Sequence, residues 1–437
     1  MTVVTRHPSS AASRLRSPSV ARILALGMTF AFSLVVGRTL GPHDAGTVYA
    51  AVVGVSALGM LARFGTEYAV LRHGSALVAS RALSPAALHW PYLLRVCLLG
   101  SVGCSAVAVA ALLLASPDDR TAYVVFALSV PFQSLGVLAS ALLRASGLSG
   151  RGAFAEFGLA QGIAAAVTVV LGLTGTADPT RVALAFTGSW VVVCAWAFVA
   201  ARPVWQADAH ASAVARPSIA SLGAMMTSSL MFYLLTWSPI AVLMVVATQT
   251  DVAWFGAAAR FPTLIALVPT IQLTAGLPVI AAHVANHRLA ETNAELRVLN
   301  VRASVIALVA GVGLVVAAPL VVSLFGPGFG GAATVLMILV VGQVGAVMLG
   351  PASILPLVTG FERHAMVALS VTLPGAVLVE TLLGLRWGAA GAAAGWSIAI
   401  CAFGLAMAIT LRRGAGITSY VTIGGPARSR RQNLEHP

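Results

Sequence analysis

Arg38, Arg63 and Arg260, together with Glu67 and Glu380, are ionisable side chains set inside or at the ends of long apolar runs. A guanidinium is planar, stays charged when desolvated and grips phosphate or carboxylate oxygens in bidentate fashion, so arginines in such places suit an anionic ligand. A carboxylate held in hydrocarbon is costly when charged, which makes Glu67 and Glu380 candidate ion-coupling groups. Arg260 is the sharpest of these: it lies about six residues, or ~9 Å of helix, beyond the boundary tryptophan Trp254. Its competing role is to snorkel outward and pair with Asp251.

Arg63 and Glu67 are spaced i, i+4, so they either pair on one helix face or open a cleft to an incoming anion. Arg38 ends an apolar run and either lines an outer cleft or anchors the chain at the membrane interface. Glu380 either titrates within the membrane or reaches the surface near Arg386. Gln133, Gln161, Gln272 and Gln343 can hydrogen-bond sugar hydroxyls or join helices to one another. No paired carboxylates and no Ser/His/Asp set favour catalysis, so the chain reads as a non-enzyme; no G-x-x-x-x-G-K-[ST] loop is present, which with Glu67 and Glu380 points to a proton or sodium gradient as energy source. Histidines near the span ends lack metal-ligand spacing, and no metal or cofactor is expected. Cys97, Cys104, Cys194 and Cys401 all fall inside apolar runs and read as packing residues.

The elements that must position these groups are membrane spans. Apolar residues make up 59% of the chain and charged ones only 9%, at a mean hydropathy of +0.93, too little polar surface for a soluble protein of this length. Windows of about 20 apolar residues place six spans at roughly 20–38, 46–66, 92–115, 121–143, 154–173 and 181–201. Six more follow at roughly 219–246, 252–281, 303–325, 332–358, 365–385 and 388–411. The expectation is an all-α polytopic membrane protein with twelve transmembrane helices. A cytoplasmic tail covers 1–19, a first half 20–201, a linker 202–217, a second half 218–411 and a basic tail 412–437. A signal peptide is the competing reading of the first run, but no A-x-A-like cleavage site follows it.

All 26 basic residues are arginine, and with the N-terminus inside, 20 of them fall in cytoplasmic segments and only four in outer ones. This bias predicts that both termini are cytoplasmic. The net charge of +13 lies in short loops and tails beside an anionic leaflet, and no basic face with interleaved aromatics suggests nucleic acid. Trp254 and Trp387 fall at predicted outer boundaries, Trp90 and Trp205 at inner ones. Pro262, Pro269 and Pro278 predict a bent or broken eighth span.

The halves echo each other: Gly147-Leu-Ser-Gly-Arg151 after span four matches Gly360-Phe-Glu-Arg363 after span ten. Internal repeats are a transporter trait, with the substrate site at the repeat interface near the midplane. An alternating-access carrier is therefore favoured over a channel.

Several runs carry a family resemblance. They are Gly37-Arg-Thr-Leu-Gly-Pro-His-Asp-Ala-Gly46, Trp254-Phe-Gly-Ala-Ala-Ala-Arg260-Phe-Pro262, Leu324-Phe-Gly-Pro-Gly-Phe329 and Trp387-Gly-Ala-Ala-Gly-Ala-Ala-Ala-Gly-Trp396. With them the chain resembles the polysaccharide (O-antigen-type) flippases, in the superfamily that also holds multidrug and toxin extrusion transporters and lipid II flippases. The resemblance covers nearly the whole chain. It implies two six-helix lobes around a V-shaped central cavity that carries undecaprenyl-pyrophosphate-linked oligosaccharide across the bacterial cytoplasmic membrane for cell-surface polysaccharide biosynthesis.

In that setting Arg38, Arg63 and Arg260 would bind the substrate headgroup. Arg260 matches a cavity arginine of the lipid II flippases, and Arg63-Phe-Gly-Thr-Glu67 resembles an Arg-x-x-x-Glu segment of the same branch. Glycosyltransferases and a glycan polymerase are the implied partners. Multidrug extrusion is the alternative, weakened because Ala21 to Val36 lacks the span-one carboxylate of several members of that branch. A lipid II flippase, usually of fourteen spans, and a glycan polymerase or ligase, usually with a large outer loop, fit less well.

Overall fold

The computed structural model describes residues 18–115, 119–205, 215–266, 280, 283–284, 286, 288–352 and 355–421. Most of both tails, much of the 202–217 linker, and Pro269, Gln272 and Pro278 of the eighth predicted span lie outside the described residues. The regular elements described are all helical, and eight of the helices are long and apolar enough to cross a membrane. Leu99, Val107 and Leu114 are among the large apolar side chains left exposed on their surfaces. Such a belt suits hydrocarbon as solvent, and helices satisfy their own backbone there.

Helix α1, Pro18–Arg63, holds the first two predicted spans and is broken at Gly41 (φ 76°, ψ 174°), just before Pro42. Helix α2, Thr66–Ala79, follows a sharp turn in which Phe64 and Gly65 both take positive φ. A Cβ on Gly65 would lie 2.3 Å from the Leu222 carbonyl oxygen, so the turn needs glycine for contact as well as conformation. Helix α3 is Trp90–Ala115. Helices α4, Arg120–Ala127, and α5, Val130–Ala145, share the fourth predicted span. Pro131 has no N–H for the Ala127 carbonyl, and the buried Ser105 hydroxyl donates to that carbonyl instead, at 2.9 Å.

Helix α6, Ser149–Phe154, passes through a π turn, Ala155–Leu159, into α7, Ala160–Leu173. Helix α8 is Pro179–Ala201, capped by Asp178, whose carboxylate accepts from the Arg181 N–H. Helix α9, Ile219–Val246, carries Pro239, which frees the Leu235 carbonyl.

Helix α10, Gln249–Ala258, starts in a Thr248–Asp251 capping box. The chain turns at Ala259 and is helical again over 260–266. That break matches the expected bend, because Pro262 has no N–H to offer the Ala258 carbonyl. Helix α11, Leu289–Ser323, starts well before the expected residue 303, since its first turns are polar helix outside the apolar window. Helix α12, Ala332–Met348, stops short of the expected residue 358, where Gly350 (φ 92°) and Pro351 end it. Leu355–Thr359 forms the short α13, and α14, Glu362–Ala415, is broken at Trp387 and Gly388.

The two halves meet along α1 and α10. A Cβ on Gly256 would come within 2.6 Å of the Tyr49 ring, so the helices cross at backbone distance. Within the second half, Trp254 Nε1 donates to the Gly328 carbonyl at 2.8 Å, and a Cβ on Gly328 would lie 2.9 Å from Pro42 of α1. Trp254 is therefore a packing and hydrogen-bonding residue as well as a boundary aromatic.

Candidate functional site

Arg260 follows the Ala259 turn and faces aromatic side chains from both halves. Its guanidinium carbon stands 5.2 Å from the centre of the Trp237 ring on α9, a cation–π distance. Tyr233, one turn earlier on α9, and Tyr49 on α1 lie within its electrostatic reach. Both phenols spend their protons on backbone: Tyr49 donates to the Ser33 carbonyl at 2.5 Å, Tyr233 to the Val53 carbonyl at 3.0 Å. The second bond ties α9 to α1 at the site. Arg260 Nε is buried and finds no acceptor, and no carboxylate pairs with Arg260 among the described residues.

Asp251, the partner that outward snorkelling would use, is engaged elsewhere. Its carboxylate closes the capping box with Thr248 and accepts from the Ala389 N–H at 3.0 Å. Among the described residues Arg260 is thus a cation set over one indole face with two phenols nearby and no carboxylate, a state that an anionic ligand would relieve.

Arg63 and Glu67 do pair, with Nε donating to Oε1 at 2.9 Å and both side chains buried. The expected single helix face is not how they meet: the Phe64–Gly65 turn separates α1 from α2, and the pair closes across it. Glu67 Oε2 and Gln133 Oε1 remain buried without partners, and Gln133 Oε1 and Arg63 Nη1 converge over Gly59.

A second ion pair stands nearby. Arg144 Nη2 lies 2.7 Å from Glu156 Oε2, mostly buried, and Glu156 is within electrostatic reach of Arg63. Spacing does not reveal this pair, because Arg144 falls in a predicted cytoplasmic segment where the positive-inside bias already accounts for it. Its signal was Glu156 itself, a carboxylate close to the start of an apolar run, and the π turn that carries it is a feature common at functional sites.

Arg38 is exposed and lines a groove with Val35, Thr39, Val169, Gly172 and Leu173, from α1 and α7. No described contact joins it to Arg63 or Arg260. Glu380 is completely buried on α14, and rather than reaching toward the surface it accepts from the Ser238 hydroxyl of α9 at 3.0 Å. Its Oε2 has no partner. Arg386 lies instead over the Trp387 ring at 5.1 Å.

No family model matches the chain, and no curated protein matches it in sequence. Solved structures do. The lipid II flippase MurJ in its inward closed conformation superposes with a TM-score of 0.67 at 12% identity, over 90% of this chain and 87% of that one. An inward-facing multidrug resistance MATE family transporter of the MOP superfamily gives 0.68 at 17% identity, over 91% of this chain and 99% of its own. A MOP superfamily transporter from Pyrococcus furiosus gives 0.54 at 16%, over 92% and 97%. The chain therefore has the fold of MOP superfamily transporters, that of a multi-pass helical membrane protein. At these identities the likeness is one of fold.

Proposed function

We propose that the chain is a flippase that moves undecaprenyl-pyrophosphate-linked oligosaccharide across the bacterial cytoplasmic membrane by alternating access, for cell-surface polysaccharide biosynthesis. Its twelve spans form two six-helix lobes around a central cavity, with both termini cytoplasmic. One observation carries the reading: Arg260 sets its guanidinium over the Trp237 ring, near phenols from both halves, with no described counter-charge. A diphosphate supplies that charge and matches the fork of the guanidinium.

Glu380 is the coupling group in this reading, a buried carboxyl held by a single hydroxyl across two helices. Proton uptake there would change the α9–α14 contact and bias the two access states. Glycosyltransferases supply the substrate on the inner face, and a glycan polymerase consumes it on the outer face.

Multidrug extrusion is the second reading, supported by the fold shared with a multidrug resistance transporter. An uncompensated arginine weighs against cationic drugs. In a deletion strain, lipid-linked glycan should accumulate on the cytoplasmic face, protected from a membrane-impermeant reagent that modifies sugars. Unchanged surface polysaccharide with heightened drug sensitivity would instead establish extrusion.

A further inference from the structure

A chamber of about 430 Å3 lies among α9, α10, the 260–266 helix, α11, α12 and α14, with Leu26 of α1 at its edge. That volume is within the ~300–1,000 Å3 of sites for drug-sized ligands. Its walls are mainly apolar and aromatic, with Trp237, Phe255, Leu339, Trp396, Ile400 and Phe403 among them, and no described side chain lining it is charged. Arg260 is not part of the lining; its stacking partner Trp237 is the shared wall.

The polar groups of the lining fall into two sets. Thr236 donates to the Phe232 carbonyl at 2.8 Å, Thr263 to the Arg260 carbonyl at 2.5 Å, and the Asn300 amide to the Ser419 carbonyl. These are satisfied. Gln343 hydrogen-bonds to no described residue, whereas Trp396 Nε1, also without a partner, is sealed from the chamber by its neighbours, so the indole lines the wall with carbon. Gln343 sits beside the close crossing of α12 and α14, where a Cβ on Gly342 would lie 2.3 Å from the Ser397 hydroxyl. Unmet hydrogen-bonding capacity is thus concentrated where α12 meets α14.

A pyrophosphate or a sugar chain would lose its hydration in this chamber and gain no charge partner, so the chamber does not suit the headgroup assigned to Arg260. We propose that it is a separate site for an uncharged, aromatic-rich amphiphile of drug size, whose carbonyl or hydroxyl meets the Gln343 amide while its rings lie against the indoles and phenyls. The site stands independently of the flippase reading.

Benzophenone tests this, being uncharged, aromatic, carbonyl-bearing and photoreactive toward nearby C–H bonds. The full chain in lipid nanodiscs is irradiated with increasing benzophenone and the adducts are mapped by peptide mass spectrometry. Saturable adducts are expected on α12 and α14 segments around Val347 and Ile400, while lipid-facing positions such as Leu114 label in proportion to concentration. Ala346→Phe, which fills the chamber, should abolish the saturable adducts and leave the proportional ones. Ala303→Phe fills it from α11 and gives the same result if the first variant fails to fold. Gln343→Leu should weaken half-saturation by about tenfold, the value of one hydrogen bond in an apolar site. Adducts confined to lipid-facing positions, or equal in the filled variants, would overturn the proposal. So would a co-purified acyl lipid whose removal is needed before any chamber labelling appears, since the occupant would then be a lipid chain.

Discussion

Arg63 and Glu67 form a buried ion pair across a break in the helix rather than along it. Phe64 and Gly65 take left-handed backbone angles between them, and the 2.9 Å bond closes the resulting corner. The same corner touches α9 at Leu222, so the pair fixes the place where the first half meets the second. Removing one member leaves a buried charge, whereas removing both leaves an apolar corner.

This asymmetry yields a stability prediction. Arg63→Met alone should destabilise the folded protein by about 3–5 kcal/mol, as for other buried pairs broken on one side. The double variant Arg63→Met, Glu67→Met should recover most of that loss. Thermal unfolding in detergent checks it, and equal loss in single and double variants would mean that the pair is not what holds the corner.

The corner also depends on glycine. Gly65→Ala would place a methyl 2.3 Å from the Leu222 oxygen at a φ of +76°, so it should lower the yield of folded protein and slow transport together. Size-exclusion profiles and a flipping assay read the two effects.

Arg144 and Glu156 predict a milder response, because the pair retains some exposure to solvent. Glu156→Gln should lower the unfolding temperature by a few degrees, and Arg144→Gln with Glu156→Gln should lower it less than either change alone. A double-mutant cycle by thermal unfolding measures the coupling.

Glu380→Gln keeps the shape of the side chain and a hydrogen bond to Ser238 but cannot exchange a proton. Gradient-driven accumulation in proteoliposomes should be lost while substrate binding is retained. Accumulation that remains responsive to an imposed proton gradient would remove Glu380 from coupling.

Much of the fold could be read from hydropathy, and the departures have physical causes. Window averages register hydrocarbon thickness, so they place the apolar centres of α3, α8 and α9 but miss the polar start of α11 and the early stop of α12 at Gly350 and Pro351. Arg260 was legible because a charge inside an apolar run has no topological reason to be there. What the sequence leaves open is partner choice. The commitment of Asp251 to Thr248 and Ala389 rather than to Arg260, and of Glu380 to Ser238 rather than to the surface, depends on helices far apart in the chain. The groove that Arg38 lines between α1 and α7 likewise joins residues more than 130 positions apart in the chain, Val35 and Val169 among them.

The role of Arg260 as the headgroup cation is tested most directly by flipping of undecaprenyl-pyrophosphate-linked oligosaccharide in proteoliposomes, comparing wild type with Arg260→Lys and Arg260→Ala. If the guanidinium holds the pyrophosphate, Arg260→Ala folds and inserts normally but loses flipping by at least about 100-fold, while Arg260→Lys, a point charge without the planar fork, retains a small fraction. Flipping by Arg260→Ala at the wild-type rate would contradict the assignment.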